Sequence, residues 1–260
     1  GPCFSMTLSG VVKICLLLLL PALASATVNA EPLRIAVASN FAQTLEQLIE
    51  DYRQHTEVDL VLSKGSSGKH YAQLQRGAPF ELFFSADDDF PQRLVDAGLA
   101  SHCILYAYGQ LVLWPTSEEI SDPAQALGQF EYRRFAIANP RLAPYGRAAE
   151  QVLAFLGVAP SPEQLVKGEN IAQAYQFIYT GNAQGGLVAR SQMRTEDHYI
   201  PVPRHWHEPI RQAVVIMGSS RQPQAAAEFI NYLATPAAER IITAGGYLIP
   251  PPTDHCGGQQ

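Results

Sequence analysis

Two short polar stretches, each following an apolar run, hold the residues best placed to do chemistry. Ser39-Asn40 follows Leu33-Arg34-Ile35-Ala36-Val37, and Ser66-Ser67-Gly68 follows Val58-Asp59-Leu60-Val61-Leu62. Each apolar run reads as a strand, and after each the pattern turns helical. Phe41, Leu45, Leu48, Ile49 and Tyr52 recur at helical spacing. Asn40 with Gln43 three residues on reads as a capping box, which predicts a helix start at Asn40. A second helix is predicted to open at Ser66-Ser67-Gly68 and to close at Gly77. The first N–H groups of a helix have no internal acceptor and sit at the positive end of its dipole. Such a start receives an anion without any cationic side chain. A single start of this kind is usually an ordinary cap. Several of them, converging beyond the strand ends of an open α/β sheet, would make a site.

Other chemistries fit these residues less well. Gly65-Ser66-Ser67-Gly68-Lys69 lacks the Gly-x4-Gly-Lys-Ser/Thr spacing of a phosphate loop, and His70 follows Lys69. A nucleophile elbow would need glycine where Lys69 stands, so a serine hydrolase built on Ser66 or Ser67 is the weaker reading. His198, His205 and His207 lie near Trp206 in a proline-rich segment and could be read as a metal site, or as an exposed connection. Asp87, Asp88 and Asp89 form an acidic run. Asp87 ends a strand there, and Asp88 and Asp89 fall at a helix start, where negative charge is favourable.

The elements that must position these residues alternate along the chain. Strands are predicted at Glu81–Phe84, Leu111–Pro115, Phe135–Ala138, Gly186–Ala189 and Ala213–Met217, with helices between them. Helices are expected near 88–97, from Ala143-Pro144-Tyr145-Gly146 to Leu156, over 169–180, and at 224–234 and 236–244. This is an α/β chain. Two sets of strands suggest two lobes joined by crossing strands, with a ligand cleft between them. The expected division is 31–110 for the first part of lobe 1, 111–211 for lobe 2, and 212–260 for the return to lobe 1 and the tail.

Residues 1–30 read as a secretory signal peptide with upstream residues before Met6. Lys13 precedes a leucine-rich run too short to span a membrane, and cleavage is expected after Ala26 or Ala30. The rest is ordinary globular composition, with 47% hydrophobic and 16% charged residues over the whole chain. Loss of Lys13, the one charge in 1–30, takes the formal charge from −6 to −7. An acidic chain with no basic stripe argues against nucleic acid, so any anion must be attracted by local dipoles. Cys103 and Cys256 outlast processing, and in an exported protein a disulfide between them is expected.

Val37-Ala38-Ser39-Asn40, Gly65-Ser66-Ser67-Gly68, Gly77-Ala78-Pro79, Phe84-Ser85-Ala86-Asp87, Ala138-Asn139-Pro140, Ala143-Pro144-Tyr145-Gly146 and Gly168-Glu169-Asn170-Ile171 occur in this order. Together they resemble the periplasmic molybdate-binding receptors of ABC importers, the ModA family, over essentially the whole chain after residue 30. The resemblance implies a type II periplasmic-binding-protein fold that holds a tetrahedral oxyanion between two lobes by neutral donors. It implies Ser39 and Ser67 as hydroxyl and N–H donors, Tyr145 as a donor from lobe 2, and Ile171 as a backbone donor at a helix start. Several family members have a tyrosine where this chain has Ala189. Asn40, through its amide, and Tyr145, through its phenol, are the available substitutes. The implied ligand is molybdate, with tungstate close behind and sulfate as the alternative. The implied partners are an ABC permease and its ATPase subunit at the inner membrane. The protein is expected to be a soluble periplasmic monomer, not an enzyme, and to need no cofactor.

Such a donor-only site suits molybdate and tungstate, which are dianions without a proton at neutral pH. Phosphate keeps a proton, and its receptor profits from a carboxylate acceptor. None of Ser39, Asn40, Ser67, Tyr145 and Ile171 is acidic.

Overall fold

The computed structural model describes residues 1–3 and 31–257. The predicted signal peptide and its cleavage points fall outside the described residues, apart from residues 1–3.

Among the described residues, ten strands and eight α-helices follow one another from Leu33. The strands β1 Leu33–Ala38, β2 Leu60–Gly65, β3 Leu82–Phe84 and β4 Ala100–Gly109 precede a first crossing at Gln110. Then come β5 Leu111–Trp114, β6 Phe135–Ala138, β7 Leu165–Gly168, β8 Gly185–Ala189 and β9 Ile200–Pro201, and after a second crossing β10 Ile210–Met217. The helices are α1 Ala42–Tyr52, α2 Ser67–Gln75, α3 Asp89–Asp96, α4 Pro123–Gln129, α5 Pro144–Phe155, α6 Ile171–Tyr179, α7 Pro223–Leu233 and α8 Pro236–Ala244.

Two five-stranded sheets result, in the orders β2-β1-β3-β10-β4 and β7-β6-β8-β5-β9. Their plans are alike. Three parallel strands are followed by one antiparallel strand, β10 in the first sheet and β5 in the second. Each antiparallel strand comes directly after a crossing, so each lobe is completed by chain that has just left the other.

Strands buried on both faces read as continuous apolar runs, with alternate residues facing opposite layers. Ile35, Val37, Phe84, Val214 and Ile216 pack on one side of the first sheet with Phe41, Leu45 and Phe229. Ala36, Phe83, Val215 and Met217 pack on the other with Leu74, Phe90 and Leu94. The second sheet has its own core of Val112, Ile137, Val152, Ala174 and Val188. There Trp114 stacks flat on Tyr175 of α6 with ring centroids 4.9 Å apart, and Trp206 joins the same core.

Several local expectations shift. The Asn40–Gln43 capping box is not formed: Ser39–Phe41 is a 3₁₀ turn, α1 begins at Ala42, and no side chain caps it. Buried acceptors in the protein interior take the Asn40 amide instead. β2 starts at Leu60 rather than Val58, and α6 starts at Ile171 rather than Glu169, with the Asn170 side chain accepting from the Gln173 N–H. The strand β4, the helix α4 and the strands β7 and β9 add to the elements read from the sequence. Ser66 caps α2 by accepting from the Lys69 N–H at 3.2 Å. Cys103 and Cys256 are joined, with Cα atoms 5.8 Å apart, which ties the C-terminal segment to β4. Among the described residues no helix is long and apolar enough to cross a membrane.

Candidate functional site

The residues just beyond the carboxyl ends of the parallel strands meet in one small cavity between the sheets. Ser39 and Asn40 come from the turn after β1, Gly65, Ser66 and Ser67 from the end of β2 and the start of α2, and Ala86 from beyond β3. Ala143, Pro144 and Tyr145 come from the start of α5, and Asn170 and Ile171 from the start of α6. The five residues singled out in the sequence, Ser39, Asn40, Ser67, Tyr145 and Ile171, therefore line the same space. The cavity is small, with ≈ 190 Å³ free of protein atoms, part of it open to solvent.

The chemistry of the lining is uniform. No carboxylate and no cationic side chain is among the residues that form it. Three helices begin there, at Ser67, Pro144 and Ile171, so first-turn N–H groups with no intrahelical acceptor are supplied from both lobes. The buried Ser67 hydroxyl accepts from the Ala86 N–H at 2.9 Å, which leaves its proton to donate. Ser39 makes no side-chain hydrogen bond within the described residues.

The cations nearest the lining are neutralised. Lys69 Nζ lies 2.9 Å from Glu169 Oε1, and Arg147 Nη2 lies 2.5 Å from Asp87 Oδ2. Both pairs span the two lobes. Burial raises the Asp87 carboxyl above its ordinary range, while the Ser85 hydroxyl and Arg147 act in the opposite sense. His70 of α2 is buried beneath the Gly65–Ser67 loop. Its Nε2 is 3.1 Å from the Val37 carbonyl, its Nδ1 has no partner, and burial lowers its pKa.

Behind the cavity lies a cluster that the sequence did not announce. Asn40 Nδ2 donates to Gln212 Oε1 at 2.9 Å and to Tyr247 Oη at 3.0 Å, and the Tyr145 phenol donates to Gln212 Oε1 at 2.9 Å. Gln212, Tyr106 and Tyr247 were not anticipated as part of any site. Their one signal is a polar residue, Gln212, next to the apolar run Ala213–Met217. Burial raises the pKa of the Tyr106, Tyr145 and Tyr247 phenols, so each keeps its proton and adds no negative charge beside the cavity. Ala189 is fully buried and is not part of the lining. The three histidines read as a possible metal site do not converge. His198 lies 3.9 Å from Glu118, His205 packs on Phe155, and His207 Nδ1 faces the Glu208 carbonyl. Among the described residues no group of three His, Cys, Asp or Glu is placed to hold a cation.

The profile of bacterial extracellular solute-binding proteins matches residues 33–248. A molybdate-binding protein ModA of Azotobacter vinelandii is 39% identical over 228 residues, covering 84% of this chain and 90% of its own length. The ModA of Rhodobacter capsulatus is 37% identical, covering 82% of this chain and 86% of its own. The chain belongs to the ModA family of bacterial extracellular solute-binding proteins. A solved structure of the family, the periplasmic molybdate-binding protein of Azotobacter vinelandii, superposes with a TM-score of 0.80 at 36% identity. It covers 84% of this chain and 100% of the other. The two-lobe architecture is thus that of the family, as the sequence resemblance implied.

Proposed function

We propose that this protein captures molybdate in the periplasm and hands it to the membrane permease of an ABC importer, with tungstate as a second ligand. The observation that carries this reading is the lining of the cavity: helix-start N–H groups from both lobes and serine hydroxyls from the first, with no acceptor carboxylate. The names of its relatives support the choice of ligand. Ser39 and Ser67 donate through hydroxyl and backbone N–H, and Asn40, Tyr145 and Ile171 through backbone N–H. The phenol of Tyr145 and the amide of Asn40 are engaged by Gln212 and serve the site from behind.

Magnitudes agree with a receptor. Five to seven charge-assisted hydrogen bonds at about 1.5–3 kcal/mol each total on the order of 8–20 kcal/mol before the costs of desolvation and closure. Micromolar to nanomolar affinity needs roughly 8–12 kcal/mol. A full cation in the lining is unnecessary and would blunt discrimination among anions. The protein acts as a monomeric receptor without catalysis, its permease partnered by an ATPase subunit.

Isothermal titration of the ligand-stripped protein with molybdate, tungstate, sulfate and phosphate tests the reading. Molybdate and tungstate bind tightly and raise the melting temperature, and phosphate does neither. Tight sulfate binding with none for molybdate would reassign the ligand, and no heat or thermal protection with any of the four would overturn the proposal.

A further inference from the structure

The cluster behind the cavity joins five side chains from separate parts of the chain: Asn40, Tyr106, Tyr145, Gln212 and Tyr247. Its proton directions can be worked out from its fixed ends. The Ser85 carbonyl can only accept, and Tyr106 Oη donates to it at 2.7 Å. A phenol has one proton, so Tyr106 Oη must accept from Gln212 Nε2 at 2.8 Å. That turns Gln212 Oε1 toward Asn40 Nδ2 and the Tyr145 phenol, both donors at 2.9 Å. At the other end Tyr247 donates to the Asn40 carbonyl at 2.7 Å, so its oxygen is left to accept from the Asn40 amide. The orientation of both carboxamides follows from two backbone carbonyls. The opposite setting of Gln212 would place its Nε2 against the Asn40 Nδ2 donors.

We propose that Gln212 is the positioning residue of the anion site. Fully buried in β10 of the first lobe, it takes the phenol proton of Tyr145 from the second lobe and an amide proton of Asn40 from the turn after β1. One carbonyl oxygen thereby fixes the start of α5 relative to the Ser39–Phe41 turn, two of the elements whose N–H groups line the cavity. Gly109, at the crossing between the lobes, leaves the room: a Cβ there would collide with Tyr145 Oη and Gln212 Oε1. This inference rests on the oxyanion reading above.

A glutamate at this position separates a positioning role from simple space filling. Its neutral carboxyl reproduces glutamine, with a hydroxyl donated to Tyr106 and a carbonyl accepting from Tyr145 and Asn40. Its ionised form places a negative charge behind the anion. The other ionisable groups around it are the phenols of Tyr106, Tyr145 and Tyr247, and Asp87 paired with Arg147.

The test is titration of full-length wild type, Gln212→Glu, Gln212→Leu and Tyr145→Phe with sodium molybdate between about pH 5.5 and 8.5, each first checked for a cooperative melt. Gln212→Leu is expected to weaken binding at least tenfold at every pH. Gln212→Glu is expected to bind within a few fold of wild type at the acid end and to lose at least tenfold toward the alkaline end, while wild type changes by less than threefold. Should Gln212→Leu fail to fold, Tyr145→Phe breaks the same contact from the other lobe and is expected to weaken binding at least threefold. Wild type that binds, with Gln212→Glu flat in pH and the other folded variants within threefold of it, would overturn the inference. Wild type that does not bind molybdate would overturn the functional reading instead.

Discussion

The Gly68 N–H of α2 donates to the Leu142 carbonyl of the opposite lobe at 2.8 Å, and a Cβ on Gly68 would stand 2.9 Å from the Leu142 Cα. Backbone meets backbone here, so no side chain can move aside to make room. Gly68→Ala is expected to keep the lobes from reaching this approach. The predicted outcome is a loss of molybdate affinity of at least tenfold, about 1.4 kcal/mol or more, with a ligand-free melting temperature close to wild type. Calorimetry paired with small-angle scattering checks both halves of this statement.

Ser67 tests the donor set directly. Its hydroxyl is buried and its oxygen is already held by the Ala86 N–H. Ser67→Ala should weaken molybdate binding by about 1–3 kcal/mol and also leave the Ala86 N–H without its partner. An unchanged affinity by titration calorimetry would remove the hydroxyl from the ligand shell.

The two ion pairs that span the lobes should differ in weight. Lys69 and Glu169 are each about half exposed, so Glu169→Gln should change stability by less than about 1 kcal/mol. Asp87 is buried, and Arg147→Met leaves it without its cation, at about 1–3 kcal/mol given the partial exposure of Arg147. Urea unfolding of the two variants side by side measures the contrast.

His70 predicts a pH dependence with a definite sign. Its folded pKa lies below the ordinary 6.5 because burial disfavours the charged ring. Below about 6.5 the unfolded chain therefore binds a proton that the folded chain refuses, and stability falls as pH drops toward the folded pKa. Above 6.5 this contribution is constant. His207 is shifted in the same direction, so His70→Gln should flatten the melting-temperature profile between pH 8 and 5 only in part.

The link between Cys103 and Cys256 closes a loop of 153 residues in sequence. It also holds a segment in which Asp254 pairs with Arg211 and with the Tyr108 hydroxyl, whose pKa is pushed up to about 12 by burial and by that carboxylate. Cys256→Ser should cost about 2–5 kcal/mol, read from denaturant unfolding under oxidising conditions.

Much of this was visible in the chain before its fold was known, and the reasons differ from element to element. Ile35, Val37, Phe84 and Val214 sit in runs that only a doubly covered sheet would bury, and Gly77, Gly98, Gly157 and Gly181 mark helix ends in a left-handed conformation. β4 was hidden because its pairing with β10 slips twice, near Gln212 and near Val214, and no steady alternation survives in Ser101-His102-Cys103-Ile104. Ser39 and Ser67 could be read as helix-start residues because local strand–helix junctions determine their surroundings, whereas Ile171 followed only from the family resemblance. Asn40 misled for the opposite reason. Its side chain answers to Gln212 and Tyr247, about 170 and 210 positions away in sequence, and no local pattern carries such a partner.

The stack of Trp114 on Tyr175, together with Trp206, puts both tryptophans of the protein in the core of one lobe. The molecule is therefore optically one-sided. Emission excited at the red edge of absorption comes only from the half built on the second sheet, and the other half is dark at that wavelength. A spectral change on adding an anion would report the response of that half alone, and a single bromophenylalanine or extrinsic dye on the silent side would turn it into a ruler.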